Sequence, residues 1–165
     1  MRISNGCLAG TIMMAMGGVA LGIVLYLEHI LKLAPCEICL LERWPWRVLI
    51  LIGAVTAFVL PLRYAKYGIL VGLMCLSVSL GLSALHIGVE HKWWASPFAS
   101  CRAPSFHGGS FKDWMAAMPV RPNKPCDAPD FVWKLPLSVT EFGGVYALLC
   151  FIVSLLSFRA NLTRA

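Results

Sequence analysis

Four long apolar runs constrain this chain more than any other feature. They extend from about Cys7 to Leu27, Trp46 to Leu62, Tyr67 to Val89 and Leu137 to Phe158. A bilayer hydrocarbon core about 30 Å thick is crossed by roughly 20 apolar residues in a helix, and each run reaches that length. Composition agrees, because 59% of residues are hydrophobic and only 13% are charged, against about a quarter in soluble domains. Backbone polar groups in lipid must be satisfied within the segment, and no alternating β-barrel pattern is present, so the runs are expected to be helices. A soluble all-α core is the alternative that this composition disfavours. The first run is longer than a signal-peptide apolar region and lacks an A-x-A-like cleavage site, so it reads as a retained helix. The expectation is an all-α membrane protein in which residues 1–165 form a single four-helix transmembrane domain.

With four spans, both termini lie on one side, and the loops at about Glu28–Pro45 and Glu90–Pro136 lie together on the other. Charge does not decide the orientation. Arg2, Arg63, Lys66, Arg159 and Arg164 lie on the terminal side, close to helix ends, where the positive-inside rule favours the cytoplasm. The loops carry more cations, among them Lys32, Arg43, Arg47, Lys92, Arg102, Lys112, Arg121, Lys124 and Lys134, but most are far from helix ends. The net charge of +6 is spread over both sides without a basic run. It fits anionic headgroups and solvation, and no nucleic-acid partner is expected.

Cysteine arbitrates instead. Cys7, Cys75 and Cys150 fall inside apolar runs, where a lone thiol behaves as a small hydrophobe. Cys36, Cys39, Cys101 and Cys126 all fall on the two loops. Disulfides persist in oxidising compartments, so these loops are expected in a bacterial periplasm or an equivalent lumen, with both termini cytoplasmic.

Cys36-Glu37-Ile38-Cys39 is a C-x-x-C, a spacing with redox and zinc readings. A structural zinc site wants a second close pair. Cys101 and Cys126 are too far apart to form one, and His29, His86, His91 and His107 show no ligand spacing with the cysteines, so no metal is expected. Pro35 suits the first position of a helix, which would put both cysteines in its first turn, where the helix dipole favours thiolates. Cys36, Cys39 and Arg43 then form an i, i+3, i+7 stripe, so Arg43 can stabilise an anion beside the second sulfur. Glu37 opposes, which leaves the sign of the thiol shift open. Pro45 is expected to interrupt or kink this helix near Leu41, making the C-x-x-C segment a short arm before the second span.

The second loop is long and rich in proline, which marks it as functional rather than as a compact domain. Phe111, Trp114, Met115 and Met118 repeat at helical spacing beside Lys112 and Asp113, which predicts a short amphipathic interfacial helix or a cap on the bundle. Trp44, Trp46, Trp93, Trp94 and Trp133 flank the spans as an aromatic belt would. Glu90 and His91 close the third span on the same side; an interfacial histidine is more often an anchor than a catalyst.

CEICLLER at Cys36–Arg43, EH at Glu90–His91, SPFASC at Ser96–Cys101 and then Cys126, set among four apolar spans, resemble the DsbB family of disulfide bond formation proteins. The resemblance implies a protein-dithiol:quinone oxidoreductase of the bacterial inner membrane. A periplasmic thioredoxin-fold thiol oxidase, DsbA-like, would attack a Cys101–Cys126 disulfide at Cys101. The freed Cys126 thiolate would exchange with Cys36–Cys39, and Cys39 would pass electrons to a bound quinone, ubiquinone or menaquinone, with Arg43 beside the ring and His91 nearby. Such a chain of exchanges needs an attacking thiolate and a reachable disulfide at each step. Trp44-Pro45-Trp46 and the short approach from His91 to Cys101 depart from the family pattern and bear on how the quinone ring fits. A sister group serving a dedicated oxidase is compatible with the same residues.

Two rival readings share part of this pattern. A vitamin K epoxide reductase-like protein also couples cysteine pairs to a quinone, but there the C-x-x-C comes late, whereas here it follows the first span. A membrane metal or haem carrier would use His86, His91 and the cysteines, but residues five apart on a helix point about 140° from each other, which suits joint ligation poorly.

Overall fold

The computed structural model describes residues 5–98, 101, 110, 112, 115, 124–131 and 136–162. Four α-helices account for most of them: α1 Asn5–His29, α2 Glu37–Ala54, α3 Ala65–Glu90 and α4 Val139–Leu162. Among the described residues no strand forms, only one isolated bridge between Phe131 and Ser138. Three of the helices are long and apolar enough to cross a membrane, over Gly6–His29, Ala65–Glu90 and Val139–Ala160. α2 carries Glu37, Glu42 and Arg43 in its N-terminal half and Arg47 just past its middle, and is not among those three.

Each helix extends beyond its apolar run for a local reason. α2 begins at the C-x-x-C itself: Cys36 is the N-cap, in extended conformation, and its sulfur accepts the Cys39 backbone N–H at 3.2 Å. Pro35 therefore precedes the cap instead of occupying the first helical position. Pro45 does not separate an arm from the span, contrary to expectation, since α2 runs through it without interruption. The missing N–H costs one bond, to the Leu41 carbonyl, while Pro45 and Trp46 are buried and the Pro45 carbonyl accepts the Cys75 S–H at 3.1 Å. Tertiary packing thus holds the helix across a local breaker.

Past Ala54 the helix widens into a π-helical turn, Val55–Val59. There the Thr56 hydroxyl donates to the Ile52 carbonyl at 2.7 Å, and Leu60 N–H reaches Val55 O at 2.9 Å, before Pro61 ends it. α3 ends in a reversal with Lys92 in left-handed conformation (φ 59°), Lys92 N–H bonding Val89 O at 3.0 Å and Trp93 N–H bonding Gly88 O at 2.9 Å. That pair of bonds is the Schellman arrangement, which satisfies the last carbonyls. α4 opens with a reciprocal cap, in which Ser138 N–H donates to Glu141 Oε2 (2.9 Å) and Glu141 N–H to Ser138 Oγ (3.2 Å).

Side-chain pairs fix the up-and-down order. Glu28 near the end of α1 pairs with Arg43 near the start of α2, His86 near the end of α3 with Glu42, and His91 after α3 with Glu141 at the start of α4. α1 packs on α2, α2 on α3 and α3 on α4. At the opposite end α1 and α2 touch backbone to backbone: a Cβ on Gly10 would lie 2.7 Å from Gly53 O, and one on Gly53 would lie 2.7 Å from Gly10 O. Small residues permit this approach, which supplies packing where lipid supplies no hydrophobic drive between helices. The core joins Met13, Ala20, Trp46, Leu49, Leu76, Ala147 and Cys150. Leu51, Phe58, Val59, Met74 and Leu156 point outward and are mostly exposed, a surface suited to acyl chains and not to water. Of the expected amphipathic helix, Phe111, Trp114 and Met118 lie outside the described residues, as do Arg102, His107, Arg121, Trp133 and Lys134.

Candidate redox site

At the end of the bundle where α1 and α3 finish and α2 and α4 begin, the C-x-x-C is a buried pair. The helical turn from Cys36 to Cys39 brings their Sγ atoms to 2.6 Å. Cys36 is 3% exposed and Cys39 half-buried. Because the Cys39 side chain and backbone N–H both donate toward the Cys36 sulfur, the Cys36 thiol is held below the ordinary cysteine range, the hydrogen bond from the Cys39 side chain being the main cause. Burial and the Glu42 carboxylate oppose this and do not overcome it. Cys39, whose proton is held by Cys36, is pushed up. The sign left open by the sequence is therefore decided by geometry, and the opposing carboxylate is Glu42, not Glu37.

His86, on α3, enters the sequence reading only as a possible metal or haem ligand, and the structure places it beside the C-x-x-C. Its ring is 3% exposed, with Nε2 3.5 Å from Cys36 Sγ and Nδ1 3.3 Å from Glu42 Oε2. Cys36 at the start of α2, His86 on α3 and Glu42 nearly two turns further along α2 form a chain of polar atoms. The sequence signal was thin, since fifty positions separate Cys36 from His86. A histidine in an apolar run about one turn before the loop is the available hint, because an ionisable group within a span needs a partner.

Arg43 shares the cysteine face as its spacing predicted, but it has a partner of its own: NH1 lies 2.8 Å from Glu28 Oε2. Its Nε is buried and, among the described residues, meets no acceptor. His91 stands apart from the sulfurs, with its exposed ring stacked on Trp93 (centroids 5.4 Å) and Nε2 3.0 Å from Glu141 Oε1. It ties the end of α3 to the cap of α4. Trp46, expected in an interfacial belt, is instead a core residue packed on Tyr146 with ring centroids 5.5 Å apart. Trp44, Trp93 and Trp94 are exposed.

Cys101 and Cys126 form a disulfide, with Cα atoms 4.9 Å apart, and Cys126 N–H bonds Cys101 O at 3.2 Å. Both are 2% exposed. The reversal at Lys92 and the return of Trp94 against Gly88, where Trp94 Nε1–H donates to Leu85 O at 3.2 Å, turn the loop back over the end of α3. Cys36, Ile38, Val89, Cys101 and Cys126 then form one buried cluster, with Cys39 and Phe98 packed against it. Two pairs separated by more than sixty residues are thus neighbours across Ile38 and Val89.

Cys39 also faces the other way. Together with Arg43, Trp46, His86, Phe142 and Tyr146 it lines a cavity of about 640 Å³ between the four helices, walled mainly by apolar side chains. His91 is not in its wall. The cavity has the size and apolar character of small-molecule sites, and the buried Arg43 Nε, which meets no acceptor among the described residues, is a donor beside it. Among the described residues the tight group of metal-ligating atoms is Cys36, Cys39 and His86.

Comparison with known proteins places the sequence among disulfide bond formation proteins. The sequence profile of the family described as "Disulfide bond formation protein DsbB" matches residues 7–157. A relative from Herminiimonas arsenicoxydans, described as "Disulfide bond formation protein B", is 30% identical over 81 residues, which cover 49% of this chain and 48% of that protein. The match thus spans about half the length of that relative. No solved structure matches.

Proposed function

The chain belongs to the DsbB family, and from that membership together with the geometry of the site we propose that it is a protein-dithiol:quinone oxidoreductase acting in a single domain of four transmembrane helices. The observation that carries this reading is the shared buried cluster of the two cysteine pairs, with Cys39 alone among the four opening into the apolar cavity. α2 and its π-helical turn would make the fourth span, its charges lying at the end where Glu28 and His86 answer Arg43 and Glu42. The cysteine-bearing loops would face the periplasm of a bacterial inner membrane, with both termini cytoplasmic.

Electrons would enter at the loop pair. A thiolate of a thioredoxin-fold oxidase attacks Cys101, forming a mixed disulfide and releasing Cys126 as thiolate; the partner's second thiolate then displaces Cys101. Cys126 attacks Cys36 of an oxidised Cys36–Cys39 bond, with Cys39 leaving, and Cys101 resolves the Cys126–Cys36 bridge. The loop disulfide is restored and the C-x-x-C is left as a dithiol. Cys36 suits the receiving role because it shares the cluster with Cys126, and attack there leaves the Cys39 sulfur on the cavity side.

A quinone in the cavity would accept two electrons and two protons from the dithiol. Arg43 would hold a carbonyl oxygen through Nε while Glu28 fixes the guanidinium, and Trp46 and Tyr146 would form an aromatic wall. His86 Nε2 can take the proton of Cys36 as the thiolate forms, and Glu42 orients the ring through Nδ1. The apolar wall keeps water from the sulfurs.

Two measurements test the reading. Membranes or purified protein should reduce added quinone when supplied with a reduced thioredoxin-fold partner; failure with both ubiquinone and menaquinone analogues refutes the activity. A reporter active only outside the cytoplasm should be active when fused near Ser110 and silent at the C-terminus, and the reverse pattern refutes the orientation.

A further inference from the structure

We propose that the reduced C-x-x-C and His86 form a binding site for a thiophilic divalent cation, Zn²⁺ in the simplest case, and that occupation of this site locks the dithiol out of exchange. The site goes beyond the electron path, because it requires only that both thiols be reduced and stands whether or not a quinone is the acceptor.

Three features carry it. Cys36 Sγ, Cys39 Sγ and His86 Nε2 come from two helices and lie within 4.8 Å of one another. Two thiolates and an imidazole are a donor set that zinc takes with bonds of about 2.3 Å to sulfur and 2.0–2.1 Å to nitrogen. Tetrahedral bonds of that length set the sulfurs roughly 3.8 Å apart and each sulfur roughly 3.6 Å from the nitrogen. The Cys36–His86 separation of 3.5 Å already meets the second requirement. The sulfurs, at 2.6 Å, must open by about 1 Å, within reach of a side-chain rotation of Cys39 toward the cavity that it already lines.

The second feature is the outer partner. Glu42 Oε2 lies on Nδ1 of His86, so Nε2 is the nitrogen turned to the sulfurs. A carboxylate on the far nitrogen of a ligating histidine fixes the ring and raises its basicity. The third is access. Cys39, Glu42 and His86 all line the cavity, which leaves a fourth coordination position open to water or a small ligand. Binding displaces the two thiol protons and changes no oxidation state. The metal-held thiolates are then unavailable to form the Cys36–Cys39 bond, so turnover stops until the ion is removed.

The test uses the full-length protein in detergent or nanodiscs, with Zn²⁺ or Co²⁺ as probe. Reduced protein should bind one Zn²⁺ in competition with a chromophoric chelator, and protein oxidised at Cys36–Cys39 should bind at least tenfold more weakly. His86→Gln should weaken binding at least tenfold, and Glu42→Gln tenfold to a hundredfold, the usual effect of losing such an outer partner. His86→Cys should restore binding and raise the sulfur-to-cobalt charge-transfer absorption from the intensity of two thiolates to that of three. This readout tells ligation from a structural role and does not depend on His86→Gln folding. Binding by reduced wild type no tighter than by Cys36→Ser/Cys39→Ser, equal binding after oxidation, or a cobalt spectrum unchanged in His86→Cys would each overturn the site.

Discussion

Cys36 and Cys39 sit one turn apart at the start of α2, in a frame fixed by α1 and α3, and their spacing is that of the helix itself. Cys101 and Cys126 are separated by 25 positions, and their closeness depends on a bond and on a loop folded over the end of α3. Cys36 and both loop cysteines are buried; among the described residues the first pair has His86 and Glu42 beside it, while Cys101 shares a surface pocket with Lys92 and Asp127. In the proposed electron path the loop pair would meet the soluble partner, and the pair framed by helices would face the lipid-soluble acceptor, where a fixed frame is of most use.

The largest expected effect would divide the pairs by partner. With an oxidase lacking its resolving cysteine, wild-type protein should accumulate a mixed disulfide at Cys101, and Cys101→Ser should abolish it. Cys36→Ser or Cys39→Ser should permit trapping yet stop quinone reduction. Non-reducing gels with peptide mapping read this, and an adduct on Cys36 or Cys39 in the wild type would erase the distinction.

Next comes the cavity side. Arg43→Ala should raise the KM for quinone roughly ten- to a hundredfold, from about 1.5–3 kcal/mol for a charge-assisted contact, with the KM for the protein partner little changed. Steady-state kinetics with each substrate varied in turn decides it, and an unchanged quinone KM would leave Arg43 as a strut for Glu28.

A smaller effect concerns protons. Since Cys36 is lowered and Cys39 raised, reduced protein should show one thiolate by ultraviolet absorbance below the ordinary cysteine range, the second only at far more alkaline pH. On the acid side the thiolate is lost as pH falls through the depressed Cys36 value. Cys39→Ser, which replaces the thiol donor, should change that midpoint; no change would mean that the Cys39 side chain is not the cause.

The smallest touches the loop's approach. Lys92 adopts φ 59°, where glycine is the natural occupant. Lys92→Gly should stabilise the protein by up to about 1 kcal/mol, read from thermal unfolding in detergent. A loss of stability would show that the lysine side chain holds the reversal.

Much of this molecule was legible in its sequence because lipid leaves few options. Apolar runs of membrane length become helices since no other backbone arrangement satisfies itself there, and α1, α3 and α4 follow their runs to within a few residues at each end. The C-x-x-C, its shared face with Arg43 and the sorting of four cysteines onto two loops follow from order and period alone. The Ser138–Glu141 cap has the S-x-x-E spacing of a capping box. What the sequence could not weigh is competition between local rule and packing. Pro45 argued for a break, and burial with Cys75 against its carbonyl kept the helix whole. Contacts between helices were equally out of reach: His86 and His91 look alike in a string, but only His86 turns inward to Cys36 and Glu42, while His91 reaches Glu141 at the rim. Periodicity assigns a residue to a face of its own helix. Which helix that face meets, and therefore which histidine shares a proton with a sulfur, is set by how the whole bundle packs.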